Sequence, residues 1–183
     1  MDDLAHPAIQ RVLKVASRKG VNLEIVFVHA STRTAEEAAA SIGADVGQIV
    51  KSIVFVASGP DDRLRPIICL VSGRNYVNTA KLAAVLGESF IRRASPREAR
   101  ELTGFSVGGI PPIGFSTPAR VVMDPDLGRY PVLWAAAGVD DAVFAVAPFT
   151  LRALSNAMVA PVAEAPWTPP QRSAVLEPQL QAS

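Results

Sequence analysis

The segment Gly104-Phe-Ser-Val-Gly-Gly-Ile-Pro-Pro-Ile-Gly114 places four glycines and two prolines in eleven residues. Glycine opens the positive-φ half of backbone space and lets the backbone approach another group closely, while Pro111 and Pro112 fix φ and withdraw two amide donors. Such a stretch sustains neither a helix nor a strand ladder, so the fold must be built from regular elements on either side of a shaped loop. The loop reads in two ways: as the wall of a site, its remaining amides held in one direction, or as a rigid connector.

The flanking sequence is patterned enough to name those elements. Ile9, Val12, Leu13 and Ala16 recur at helical spacing after Pro7, which suits a first turn, and Gly20 closes that helix. Val21 to Val28 is rich in β-branched residues and reads as a strand, after which Thr34-Ala-Glu-Glu37 has the form of a capping box opening an alanine-rich helix that ends near Gly43. Ile49 to Ala57 and Arg65 to Val71 are β-type runs joined by Ser-Gly-Pro-Asp-Asp, the pattern of an antiparallel hairpin. Asn78 or Thr79 caps a helix to Leu86, and Ser95-Pro-Arg-Glu98 opens another that stops at Gly104. Beyond the loop, Ala119 to Met123, Val132 to Ala136 and Val143 to Val146 read as strands, with Thr150 capping a last helix through Asn156. The expectation is an α+β fold: one domain over residues 1–158 around a mixed, mostly antiparallel sheet with flanking helices. From 159 to 183 the chain carries prolines at 161, 166, 169, 170 and 178 without periodicity, and reads as an extended or disordered tail.

Composition narrows the function classes. With 49% hydrophobic and 19% charged residues and a formal net charge of +1, the chain has material for a core and no global attraction to nucleic acid or membranes. Contact with a polyanion must therefore be local. The single Cys69 excludes an intrachain disulfide, and with only His6 and His29 a zinc-type cluster is not expected; no metal or cofactor is called for. No apolar run approaches the roughly 20 residues of a membrane span, and Met-Asp-Asp-Leu lacks the regions of a signal peptide. A cytoplasmic protein without a membrane partner is the expectation.

Lys51 interrupts the run Ile49-Val-Lys-Ser-Ile-Val-Phe-Val56 in a chain with four lysines and fourteen arginines. It reads either as an edge-strand lysine whose stem packs and whose head reaches water, or as an anchoring cation for a phosphate or carboxyl oxygen, set accurately by a strand.

Taken together, Thr34-Ala-Glu-Glu-Ala-Ala39, Ile42-Gly43, Gln48-Ile-Val-Lys-Ser52, Val71-Ser-Gly73, Lys81-Leu-Ala83, Ala94 with Thr103-Gly104, the loop Gly108 to Gly114 and Asp124 occur in the order seen in the YbaK/prolyl-tRNA-synthetase-associated editing family. The chain resembles that family from about Ala30 to Leu154. The resemblance implies a compact domain whose sheet curves around the site, and a freestanding aminoacyl-tRNA deacylase that hydrolyses the ester of a small mischarged amino acid such as Ala, Cys or Ser. It favours tRNA(Pro) as carrier and prolyl-tRNA synthetase as possible partner. The family's site lysine maps onto Lys51, which the resemblance implies contacts the terminal adenosine or its phosphate and orients the ester, and its Gly-x-x-x-Pro loop maps onto Gly108 to Pro112. Gly108 and Gly109 would then offer amides to the oxyanion, with Ile110, Pro111, Pro112, Gly114 and Phe115 bounding the pocket and Thr34, Ser52 and Gly73 as pocket neighbours. A noncatalytic module that binds a tRNA end in the same pocket is the competing class.

Some relatives carry a histidine near the end of this loop or in the later strand region; here those places hold Phe115 and Val143-Phe144, so no histidine base is expected. Cys69, in Ile67-Ile-Cys-Leu-Val71, reads as a buried structural thiol, and His29 as a strand-end residue. Arg92, Arg93, Arg97 and Arg100 surround one helix start, either as a track for tRNA phosphates or as a solvated face interleaved with Glu98 and Glu101. Asp124, Asp126, Asp140 and Asp141 sit beside Pro and Gly and read as turn residues.

Overall fold

The computed structural model of the chain describes residues 3–28, 34–59, 61 and 63–164. Five helices, α1 (Pro7–Arg18), α2 (Ala35–Ile42), α3 (Thr79–Leu86), α4 (Pro96–Thr103) and α5 (Pro148–Ser155), surround eight strands. The strands are β1 (Ile25–Phe27), β2 (Ile49–Ser58), β3 (Leu64–Ser72), β4 (Arg92–Arg93), β5 (Arg120–Met123), β6 (Leu133–Ala136), β7 (Ala142–Val146) and β8 (Met158–Val159). They form one mixed sheet in the order β1-β7-β6-β2-β3-β5-β8, with β4 also on β2. β2 and β3 make the expected antiparallel hairpin, while β2 with β6, β3 with β5 and β5 with β8 run parallel.

Both faces of the central hairpin are covered, which is why its strands are nearly continuously apolar. Val50, Val54, Ile68 and Leu70 face the larger core, built with α1, α4 and α5, whereas Phe55, Ala57, Ile67, Cys69 and Val71 face a second cluster with Leu82 of α3. The period of two along each strand sorts its residues between the layers.

Caps set the helix ends close to where the sequence places them. Thr34 Oγ1 accepts from the Glu37 amide, Asn78 caps α3, and Ser95 and Glu98 form a reciprocal capping box on α4 that Gly104 ends. Two expectations need correction. The last helix starts at Pro148, two residues before Thr150, because proline at N1 opens it with no side-chain cap. The Val21 to Val28 strand is confined to Ile25–Phe27, where β7 supplies partners.

The packed structure also runs beyond residue 158. β8 adds Val159 to the sheet, Val162 is fully buried, and Ala163 bridges to Val77. The cause is Asp124, 2% exposed, whose Oδ2 accepts from the amides of Val162 and Ala163 at 3.0 and 2.9 Å. A carboxylate cannot stay buried without such donors. The rest of the proline-rich segment lies outside the described residues.

β2 is the element that makes room for a site. One of its edges pairs with β3 along the whole strand, so β6 and β4 must share the other. β6 takes Ile49 and Val50, and β4 takes Phe55 and Val56. The Ala94 amide reaches Val54 O at 2.9 Å, which leaves Lys51, Ser52 and Ile53 on an edge that no strand covers.

Candidate active site

A cavity of about 380 Å³ opens at this gap. Ile49, Val50, Lys51, Ser52 and Ile53 all line it, although successive residues of a strand point to opposite faces. Five consecutive lining residues are possible only where a cavity meets the strand at its edge. Val107, Gly108 and Ile110 from the glycine-proline loop also line it, as does Trp134 of β6, the register partner of Ile49. Thr34 and Ala38 of the α2 region, together with Val139, Asp140 and Val143, close the remaining sides.

The Lys51 ammonium is held tightly. Nζ donates to the carbonyl of Gly73 at 3.0 Å and to that of Asn75, and lies 4.8 Å from the centroid of the Tyr76 ring. Burial pushes its pKa below the ordinary lysine value; Glu36 opposes the shift and Arg93 adds to it. Of three ammonium protons, two are engaged by backbone carbonyls. Lys51 thus fixes the chain from Gly73 to Tyr76 and has one donor left for the cavity. Beside it, the Ser52 hydroxyl oxygen is buried and has no hydrogen-bond partner among the described residues.

The loop enters the cavity only at its tip. Gly108 has φ +102° and is exposed, and its amide has no acceptor among the described residues. Gly109 turns away: its amide donates to Ser106 O at 3.1 Å, and it lines a second cavity of about 430 Å³ with His6, Arg100 and Phe105. Of the two glycines expected to offer amides, Gly108 lines the first cavity and Gly109 does not. Pro111 and Pro112 are buried, and Phe115 packs against the main core, so none of these borders the first cavity. Gly114 likewise lies off it, facing Phe105 and Arg11. The physical reason is that Phe105, Ile110 and Ile113 all bury in the main core and pull the loop inward after its tip.

Of the arginines, Arg93 borders the cavity, whereas Arg92 is paired with Glu98 at 2.7 Å and Arg97 with Glu101 at 2.8 Å. Gly73 contributes its carbonyl to Lys51 and does not line the cavity. Tyr76, Trp134, Val139 and Asp140 are wall residues that sequence reasoning missed; Trp134 arrives through its parallel register with Ile49, which no local pattern encodes. Cys69 is fully buried, and burial with the nearby Asp124 raises its thiol to about 12. Among the described residues no group of His, Cys, Asp or Glu is placed to hold a metal, and no helix is long and apolar enough to cross a membrane. His29 lies outside the described residues.

Comparison with known proteins decides the family, because the aminoacyl-tRNA editing domain matches residues 29–154 of the 183. The chain belongs to the aminoacyl-tRNA editing domain family. A proline-tRNA ligase of Limosilactobacillus fermentum is 34% identical over 94 residues, 51% of this chain and 16% of the ligase. One from Streptococcus pyogenes serotype M5 is 33% identical over 92 residues, 50% of this chain and 14% of that enzyme. The editing-domain chain thus spans a small part of the ligases it matches. Among solved structures, a candidate trans-editing enzyme for prolyl-tRNA synthetase is 44% identical with a TM-score of 0.78, covering 87% of this chain and 98% of its own. A scaffold protein used for epitope backbone grafting is 40% identical with a TM-score of 0.79, covering 87% and 99%. These structures share the mixed-sheet fold of this editing domain over nearly their full length.

Proposed function

We propose that this editing domain is a trans-acting deacylase that hydrolyses the ester between a small mischarged amino acid and tRNA, with tRNA(Pro) the favoured carrier. The observation that carries the reading is the apolar cavity at the open β2 edge, which Lys51, Ser52 and Gly108 all line. At about 380 Å³ it lies near the small end of ligand pockets, and Ala38, Ile49, Trp134 and Val143 give it an apolar lining suited to a short side chain. The candidate trans-editing enzyme among its structural relatives supports a freestanding role on errors of prolyl-tRNA synthetase.

An aminoacyl ester is activated, so positioning can supply much of the acceleration. Water adds to the ester carbonyl while the neighbouring ribose hydroxyl takes its proton and passes its own to the ester's ribose oxygen; the carbonyl oxygen gains charge and accepts a hydrogen bond from the Gly108 amide. Collapse of the tetrahedral species breaks the bond to that ribose oxygen, which leaves with the relayed proton as a hydroxyl, and releases the free amino acid. Lys51 is a positioning residue in this scheme, since its carbonyl partners hold the Gly73 to Tyr76 segment against the cavity.

The test is deacylation of alanyl-, cysteinyl-, seryl- and prolyl-tRNA(Pro) by the wild type, Lys51→Ala and Gly108→Ala, with thermal melts to confirm folding. Selective hydrolysis of a mischarged species, reduced at least tenfold in both variants, is expected. Hydrolysis of every species at the buffer rate, with tRNA still bound, would reject the enzyme and leave a binding module.

A further inference from the structure

Two side chains at the mouth of the cavity have positions that packing does not explain. Tyr76 is 72% exposed, yet its backbone neighbours are anchored by Lys51 and its ring faces the Lys51 ammonium. A large aromatic ring left exposed beside an anchored backbone offers its face to a ligand. Arg93 lines the same cavity, is exposed, and has no side-chain partner among the described residues, although Arg92 and Arg97 on either side are both paired. The two cations Lys51 and Arg93 sense each other, with Glu36 offsetting them in part. A rim with one exposed π-face and one guanidinium that has no side-chain partner among the described residues, next to a second cation, fits a nucleotide: base on the ring, phosphate on the arginine.

We infer that Tyr76 and Arg93 clamp the 3′-terminal nucleotide of the tRNA, the ring stacking the adenine and the guanidinium gripping its 5′-phosphate, so that the aminoacyl ester projects inward from the ribose. This rests on the deacylase reading, and it names the part of the substrate that the protein holds. Lys51 occupies one side of the ring, which leaves the other to the base. Because the base–aromatic contact is tolerant of sequence, the clamp recognises the shared end of every tRNA, and discrimination falls to the cavity and to contacts farther along the acceptor stem.

The experiment is calorimetric titration with AMP and with adenosine, alongside steady-state kinetics on the aminoacyl-tRNA that the wild type hydrolyses best. Tyr76→Ala is expected to weaken AMP binding roughly 5- to 150-fold, the equivalent of one stacked base, and Tyr76→Phe to rescue it. Arg93→Ala is expected to weaken AMP while leaving adenosine unchanged. Both alanine variants should raise KM more than they lower kcat, which a merely structural role would not do; both residues are exposed, so melting temperatures should hold. Equal AMP affinity in wild type and both variants, or no AMP binding by the wild type at millimolar concentrations, overturns the clamp. AMP binding with these dependences but no ester hydrolysis retains the clamp and rejects the deacylase. Hydrolysis with KM unchanged in Tyr76→Ala and Arg93→Ala does the reverse.

Discussion

Gly109→Ala tests how the loop is seated. A Cβ at this position would lie 2.6 Å from both the Cα and the carbonyl carbon of Val139 and 2.8 Å from its nitrogen. Ordinary contact begins at 3.4 Å, so the turn carrying Val139 and Asp140 and the tip carrying Gly108 must separate by most of an ångström. All three obstructing atoms are backbone, and no rotamer change relieves them. Overpacking of this kind costs about 1–3 kcal/mol. At about 2 kcal/mol, with a urea m-value near 2 kcal/mol/M, the unfolding midpoint should fall by roughly 1 M with m unchanged. Because Gly108, Val139 and Asp140 all line the cavity, the same displacement should lower the proposed deacylation by about 10²-fold in the protein that remains folded. Adding Val139→Ala is expected not to rescue either loss, since the clash does not involve the Val139 side chain. A midpoint within 0.2 M of wild type, measured by urea titration and extrapolated as usual with about 10–15% error, would refute the steric argument. Recovery in the double variant would show that a side-chain contact had been mistaken for a backbone one.

Two further outcomes follow from titratable groups. The Arg92 guanidinium, followed by the Ser95 amide, pulls the Glu98 carboxyl from 4.5 down to about 2. Its contribution to stability is therefore present above pH 4.5 and lost as pH falls toward 2, so Glu98→Gln should flatten the acid limb of the stability profile in that window; an unchanged slope in urea titrations across it would contradict the assignment. Cys69, raised to about 12 by burial and Asp124, should resist iodoacetamide at pH 8 in the native protein and react at once in denaturant. Stoichiometric labelling on mixing with native protein would show that β3 opens far more readily than a fully buried central strand should.

Much of the fold was legible because its signals are local. Asn78, Ser95 and the glycines at 87 and 104 mark helix ends by capping chemistry that operates within four residues, and the structure uses all of them. The β2–β3 hairpin was equally plain from two apolar runs around a turn. Asp124 shows where such reading stops. Beside a proline it looks like a turn former, and it does cap the turn at Asp126, but its second oxygen holds Val162 and Ala163 and extends the packed chain beyond the expected boundary. That contact spans 38 residues and leaves no local trace.

The same division runs through the candidate site. Local sequence dictates a lysine within an apolar strand and a glycine-proline loop after α4, because both are properties of short stretches. The tertiary structure decided that β6 and β4 share one edge of β2 and leave Lys51 to Ile53 uncovered between them. It also decided that Gly108, and not Gly109, faces the opening, since the hydrophobic anchors Phe105, Ile110 and Ile113 orient the loop from the core side. Tyr76, Arg93 and Trp134 meet there only through strand pairing and the Lys51 bonds to Gly73 and Asn75, contacts between residues distant in the chain. Periodicity and capping are short-range and write themselves into sequence; a cavity is the space left between long-range pairings, and no single segment encodes it.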